Sequence, residues 1–361
     1  MKATPILIMA GGTGGHIFPA LAVARALRRR NEQVVWLGTR RGLEAELIPA
    51  EGIPLERIRV SGLRGKGWLA WLLAPVRLVF AVADALRVLL RLKPKVVLGM
   101  GGFASGPGGL AAWLLRRPLV IHEQNSVAGL TNRLLAGIAR EVLEAFPGSF
   151  SSKVRTQVVG NPVRAEIVNL PAPEQRLHAR QGRLRVLVLG GSQGAKVLNA
   201  VVPQAMALLP AARRPDVIHQ AGSLTYEVAL DAYRTAGVGA KVERFIENMA
   251  EAYAWADLVI CRAGALTVSE LAAAGLGAVL VPYPAAVDDH QTGNANYLVQ
   301  AGAGVLIPQD ALTPELLAEE LDRCCSDRHL VTDRAVRART MSRPNATADV
   351  VARCLAVGGA A

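Results

Sequence analysis

Aromatic side chains make up only 4% of this 361-residue sequence, and they do not interleave with the basic residues. Stacking platforms for single-stranded nucleic acid are therefore missing, although the net charge of +12 first suggests them. Cysteine is scarce too: Cys261, Cys324, Cys325 and Cys354 all lie in the second half, with neither metal-ligand nor disulfide-scaffold spacing. A reducing cytosol is the expected setting. The longest charge-free apolar run, Trp68 to Val76, falls far short of the ~20 residues that span a bilayer. The first apolar run stops at the glycines after Ala10 and has no small-residue cleavage site behind it, so no secretory signal is expected.

The positive charge is uneven. Residues 1–160 hold 22 Lys and Arg against 9 Asp and Glu, whereas residues 161–361 hold 19 against 20. With no nucleic-acid signal to absorb this excess, an anionic membrane surface is the expected partner of the first half. The stretch from Gly67 to Lys95 supports that reading, with Trp68, Trp71, Leu72, Leu73, Val76, Leu78, Val79 and Phe80 flanked by Arg64, Lys66, Arg77, Arg87, Arg91 and Lys93. Such a segment gains from apolar burial and from about 1 kcal/mol per basic residue near anionic lipid. The competing reading is an ordinary core helix with a charged outer face.

The length suggests two domains of roughly 150–200 residues each. Short aliphatic runs at Ile6–Met9, Val34–Leu37, Val96–Leu98, Leu119–Ile121, Val186–Leu189, Val217–His219, Leu258–Cys261 and Ala278–Val281 alternate with helical patterns. That alternation predicts parallel sheets covered on both faces. An internal echo divides the chain. IMAGGTGGH (Ile8–His16) and VLGGSQGAK (Val188–Lys196) align without a gap, matching Gly11, Gly12, Thr13 and Gly15 with Gly190, Gly191, Ser192 and Gly194. Each follows a strand and opens a helix, while the proline-bearing segment Gly160–Arg183 between the halves is the candidate linker.

Neither loop has the G-x-G-x-x-G or Walker A spacing. Both still offer bare backbone at a helix start, which favours phosphate or another oxyanion. A third site of this kind follows the strand DLVICR, where Thr267 and Glu270 fit either a capping box or a carboxylate placed for ribose hydroxyls. Polar clusters HEQN (His122–Asn125), GNPVR (Gly160–Arg164), HQAG (His219–Gly222), FIENM (Phe245–Met249) and DDHQTGNA (Asp288–Ala295) recur where strands end. No histidine pair has metal spacing; Asp288, Asp289 and His290 form the single candidate for a divalent ion, and no metal or other cofactor is expected.

Taken in order, GGTGGHIFPALAVA, GMGGFASGPGGLAA, HEQNSVAGLTNRLLA, GNPVR, GGSQGAKVLN, FIENMAEAYAWADLVICRAGALTVSELAAAG and HQTGNANYL resemble the motifs of the MurG family over nearly the whole chain. These are bacterial UDP-N-acetylglucosamine transferases that act in peptidoglycan synthesis. The resemblance implies an α/β GT-B fold with two Rossmann-like domains facing a cleft. Residues 1–160 would form an acceptor-binding, membrane-associated domain, to which a helix at about 341–361 returns, and 161–340 a UDP-sugar donor domain. Thr13, Gly14, Gly15, Asn125, Arg164, Ser192, Ile246, Ala265, Leu266, Thr267, Val268, Ser269, Glu270 and Gln291 would contact the sugar nucleotide. Among them Glu270 would hold ribose, the Ile246 backbone the uracil, Ser192 and the helix start near Ala265 the diphosphate, and Gln291 the GlcNAc hydroxyls.

The implied reaction is an inverting transfer of GlcNAc from UDP-GlcNAc to the 4-hydroxyl of undecaprenyl-pyrophosphoryl-MurNAc-pentapeptide. It would take place at the cytoplasmic face of the plasma membrane, with the enzyme held peripherally. Such a displacement needs a base at the hydroxyl and charge stabilisation at the departing diphosphate. His16, the imidazole that ends the first glycine loop, is the expected base. A UDP-N-acetylglucosamine 2-epimerase and a non-catalytic nucleotide-sugar binding protein are the alternatives.

Overall fold

The computed structural model describes residues 4–40, 42–60, 74–178, 180–191 and 194–359. Arg64, Lys66, the Trp68–Leu73 part of the apolar segment, and Ser192 lie outside the described residues. The chain divides into two compact units, 1–163 with 345–361, and 164–344.

The first unit is built on a parallel sheet of β1 (Ile6–Met9), β2 (Val34–Thr39), β3 (Leu55–Ile58), β4 (Val96–Gly99), β5 (Leu119–Glu123), β6 (Glu141–Glu144) and β7 (Gln157–Val158), in the order β3-β2-β1-β4-β5-β6-β7. Side chains alternate across β1. Ile6 and Ile8 join a core with helices Gly14–Arg29 and Ala346–Gly359, while Leu7 and Met9 join another with helices Ala74–Leu92 and Ser105–Leu114. The last helix closes the first core by inserting Val350, Val351, Cys354 and Val357.

The second unit repeats the plan. β8 (Arg185–Leu189), β9 (Asp216–Gln220), β10 (Lys241–Glu243), β11 (Leu258–Cys261), β12 (Gly277–Leu280) and β13 (Gly304–Leu306) are all parallel, ordered β10-β9-β8-β11-β12-β13. Six strands of each sheet thus follow one Rossmann-type order, which reverses between β1 and β4 and again between β8 and β11. Such reversal points are where open α/β sheets bind ligands. The glycine loops follow β1 and β8, one at each reversal.

The candidate linker is not a linker. From Arg164 onward it folds into the second unit, with short helices Ala165–Val168 and Pro173–Leu177. Pro173 opens its helix at a position where no amide is needed, and Arg176 donates to the carbonyls of Ala274 and Gly275 at the end of another helix. Arg180 donates to buried Asp257 at 2.5 Å. One of the three prolines that suggested a linker, Pro173, serves here as a helix start.

Helix Ala74–Leu92 is a core helix along only part of its length. Its second half buries Ala81, Ala85, Val88 and Leu89, whereas Val76, Leu78, Val79 and Phe80 are all exposed near its start.

Candidate functional site

In the first unit the glycine loop is pinned from its back. The Trp36 indole on β2 donates to Ala10 O at 2.8 Å, and the Met100 amide, just past β4, donates to Met9 O at 2.8 Å. Fully buried Glu44 accepts from Gly12 N–H (3.2 Å), Thr39 N–H (3.2 Å) and Thr39 Oγ1 (2.7 Å), tying the loop to the end of β2. The close approach depends on Gly102, whose φ is +84° and whose added Cβ would run into Gly11 O. Beyond this brace, Thr13 caps helix Gly14–Arg29 in extended geometry with no side-chain bond, so the amides of Gly14 and Gly15 precede the helix's own acceptors.

His16 stands in the first turn of that helix, half-buried. Its Nδ1 lies 2.8 Å from Gln124 Oε1; Gln124 Nε2 lies 3.0 Å from His122 Nδ1 and 3.1 Å from His122 O; and His122 Nε2 lies 2.9 Å from Gly160 O. Burial pushes the His122 imidazole down to about 4, against smaller opposing effects of Gly160 O and Glu123. Room for the His16 ring comes from Gly101 at φ +90°, where a Cβ would stand 2.7 Å from Nδ1. Asn125 turns its Nδ2 to Glu123 Oε1 at 3.1 Å, and its carbonyl accepts from Ser149 Oγ at 2.8 Å.

In the second unit the candidate carboxylate is Glu270. It is not a cap: helix Ala265–Ala274 has Gly264 as its N-cap, without a side-chain bond, and Thr267 already lies inside the helix. Glu270 is buried instead, accepting from Arg164 at 2.9 Å and from the Tyr253 hydroxyl at 3.0 Å. Burial raises its carboxyl above the usual range, opposed by Arg164 and Tyr253, and burial likewise raises the Tyr253 phenol.

The amides of Ala265, Leu266 and Thr267 precede the first i→i−4 bond of this helix, from Val268 N–H to Gly264 O at 2.9 Å. Val268 belongs to the interior, fully buried and with its amide spent, while Ser269 Oγ returns to Ala265 O at 2.9 Å. The Ile246 amide, expected to face a base, donates to Gln220 Oε1 at 3.1 Å. Gln291 accepts from the Tyr283 amide at 2.9 Å through its Oε1.

The structure thus brings Thr13, Gly14, Gly15, His16 and Asn125 to the strand ends of the first unit. Arg164, Ile246, Ala265 to Glu270 and Gln291 belong to the second. Asp288 and Asp289 are in the left-handed region, with φ of 52° and 48°, and among the described residues no group of His, Cys, Asp and Glu gathers as a metal site. Sequence reasoning passed over Glu44, Gln124, Gln220 and Tyr253. Gln124 and Gln220 carried a signal, as members of the strand-end clusters HEQN and HQAG.

Comparison with known proteins follows the same division. The profile of the Glycosyltransferase family 28 N-terminal domain matches residues 6–144, and that of the Glycosyltransferase family 28 C-terminal domain matches residues 185–349. A protein of Marinobacter nauticus named UDP-N-acetylglucosamine--N-acetylmuramyl-(pentapeptide) pyrophosphoryl-undecaprenol N-acetylglucosamine transferase is 60% identical over 97% of this chain and 96% of its own. A protein of the same name from Nitrosococcus oceani is 58% identical over 98% and 99%. The crystal structure of Acinetobacter baumannii MurG superposes with a TM-score of 0.85 at 42% identity, covering 98% of this chain and 99% of that one. With the glycine loop repeated at equivalent reversals of two like sheets and both family domains matched in order, the chain is a GT-B glycosyltransferase of family 28, belonging with the MurG transferases.

Proposed function

We propose that this enzyme transfers N-acetylglucosamine from UDP-N-acetylglucosamine to the 4-hydroxyl of undecaprenyl-pyrophosphoryl-MurNAc-pentapeptide, making the lipid-linked disaccharide of peptidoglycan. The observation that carries the reading is the 60% identity, over nearly the full length of both chains, to a transferase whose name states that acceptor and that sugar. An epimerase reading has no such support.

In the reaction the acceptor oxygen attacks the anomeric carbon from the face opposite the leaving group. The new C–O bond forms as the bond from that carbon to the diphosphate oxygen breaks. UDP departs with the electron pair, the hydroxyl proton passes to His16 Nε2, and the sugar inverts from α to β. The second unit is the donor domain: Glu270 takes the ribose hydroxyls, the helix start at Ala265–Thr267 and the loop with Ser192 take the diphosphate, and Arg164, Ile246 and Gln291 complete the contacts. The first unit, with its returning helix, is the acceptor domain, contributing Thr13, Gly14, Gly15 and Asn125 beside His16.

The enzyme works peripherally at the cytoplasmic face of the plasma membrane. No helix among the described residues is long and apolar enough to cross a bilayer. What favours surface attachment is the exposed row Val76, Leu78, Val79 and Phe80 in the basic half of the chain.

Incubation of the purified protein with labelled UDP-N-acetylglucosamine and the lipid-linked muramyl-pentapeptide tests the reading. Label should move into the lipid phase, and label recovered as free sugar or epimer would overturn it. His16→Ala should lower turnover by about 10²–10⁴-fold with little change in donor affinity. Near-normal turnover in that variant would remove His16 as the base.

A further inference from the structure

We propose that His122 and Gln124 are positioning residues that set the tautomer of His16, holding its proton on Nδ1 and leaving the Nε2 lone pair as the acceptor. The proposal rests on the reading of His16 as the base.

Two carbonyl oxygens, which can only accept, fix the direction of the whole chain of bonds. Gly160 O is 2.9 Å from His122 Nε2, so that nitrogen carries the ring hydrogen. The His122 ring is buried and neutral near pH 7, so its Nδ1 is a bare lone pair. Gln124 then meets two acceptors at one end, His122 Nδ1 at 3.0 Å and His122 O at 3.1 Å. Only the amide nitrogen, with its two hydrogens, satisfies both. The amide oxygen is thereby turned toward His16, where it lies 2.8 Å from Nδ1. An amide oxygen cannot donate, so His16 Nδ1 must, and a neutral imidazole has one N–H to give. Nε2 is left as the lone pair.

The frame around this relay is tied down. Asn161 Nδ2 donates to Gln124 O at 3.0 Å, and Asn132 Nδ2 donates to His122 O at 3.3 Å. The neighbouring carboxylate of Glu123 is taken up by the Asn125 and Gly129 amides, at 2.9 and 3.1 Å, and by Asn132 Nδ2 at 2.8 Å. The two histidines should therefore be opposite tautomers: Nδ1–H at His16 and Nε2–H at His122.

Nitrogen NMR of the full-length protein labelled on histidine nitrogen tests this directly, at alkaline pH where exposed imidazoles are neutral, with His16 assigned by its loss in His16→Ala. The expected spectrum pairs Nδ1–H at His16 with Nε2–H at His122; Nε2–H at His16 in the parent protein overturns the proposal even if no Gln124 variant folds. In Gln124→Met the His16 tautomer should become mixed. Turnover should then fall by about 10- to 100-fold, no more than the low end of what a general base contributes, at nearly constant donor KM. Gln124→Glu, which keeps an acceptor for Nδ1–H, should restore the His16 tautomer and part of kcat. An unmixed Nδ1–H signal in Gln124→Met, or a rise in KM at unchanged kcat, would also overturn the proposal. Loss of the base reading would look different: full turnover in His16→Ala, with the pair of opposite tautomers intact in the parent protein.

Discussion

Tyr253 donates its phenolic hydrogen to Glu270 Oε2 across 3.0 Å of buried space, while Arg164 holds the other carboxylate oxygen at 2.9 Å. Both partners oppose the burial that raises the Glu270 carboxyl, and together they fix its orientation. Tyr253→Phe removes one bond to a charged group, about 1.5–3 kcal/mol where such bonds have been measured. The variant should raise the UDP-N-acetylglucosamine KM by about 10-fold, because the loosened carboxylate must be ordered again on binding, with kcat nearly kept. Glu270→Ala should raise KM further. Steady-state kinetics with UDP-binding calorimetry separate the terms, and unchanged KM in both variants would make Glu270 a structural residue only.

The strands that could be read from sequence were the interior ones. Ile6–Met9 and Leu258–Cys261 match their runs end to end, because strands covered on both faces are continuous in aliphatic residues. The unread strands β3, β7, β10 and β13 are the four sheet edges, and β6 lies beside an edge. LERI and KVE carry charges where an edge meets solvent, and EVLE, one strand in, has a glutamate at each end, with Glu144 buried, so no apolar run marks them. The site was legible in the same uneven way. Glycine loops show in spacing, but the Gly12–Glu44 contact joins residues 32 apart and the Gln220–Ile246 contact residues 26 apart. The capping alternative for Glu270 arose because a three-residue spacing is local, whereas Gly264 in extended geometry sets where the helix begins.

Glu44 gives the first glycine loop its shape, so its loss should be felt in stability before chemistry. Glu44→Ala deletes three hydrogen bonds to a fully buried carboxylate. The expected cost is about 3–5 kcal/mol, the range for removing one partner of a buried charged group. For a unit of this size that lowers its melting transition by about 10 °C. Glu44→Gln keeps one acceptor and should cost less than half as much. Scanning calorimetry checks the order, and an unchanged transition in Glu44→Ala would show that the loop is held by Trp36 and Met100 alone.

Two buried histidines set the acid side of stability, one in each unit. Burial lowers His122 to about 4 and His219 to about 3, both below the ~6.5 of an unfolded histidine. As pH falls below ~6.5 the unfolded chain takes up protons that the folded one refuses, so stability is full above that value and declines beneath it. The slope approaches about 1.4 kcal/mol per pH unit for each histidine. Denaturant titrations at pH 7.5 and 5 should therefore differ by about 2 kcal/mol in each unit. In His219→Gln the second unit alone should lose this dependence. Equal stability at the two pH values, or greater stability in acid, would contradict the assignment.

Gly102 and Gly15 separate a glycine needed by the fold from one open to a ligand. At Gly102 both φ, at +84°, and the crowding of a Cβ against Gly11 O forbid a side chain, and backbone cannot step aside as a flexible side chain can. Gly102→Ala should therefore destabilise the first unit and abolish turnover together. At Gly15 an added Cβ meets nothing nearer than Thr13 Oγ1 at 3.7 Å, and the residue is helical. Gly15→Ala should keep or slightly raise the melting temperature, since alanine favours a helix by up to about 1 kcal/mol over glycine. If the Gly14 and Gly15 amides meet substrate, the new methyl occupies the space that substrate enters, and kcat/KM should fall by 10-fold or more in a fully folded protein, an estimate equal to about 1.4 kcal/mol. A stable Gly15→Ala with parental kcat/KM would leave this glycine with no part in binding and move the contact to Thr13.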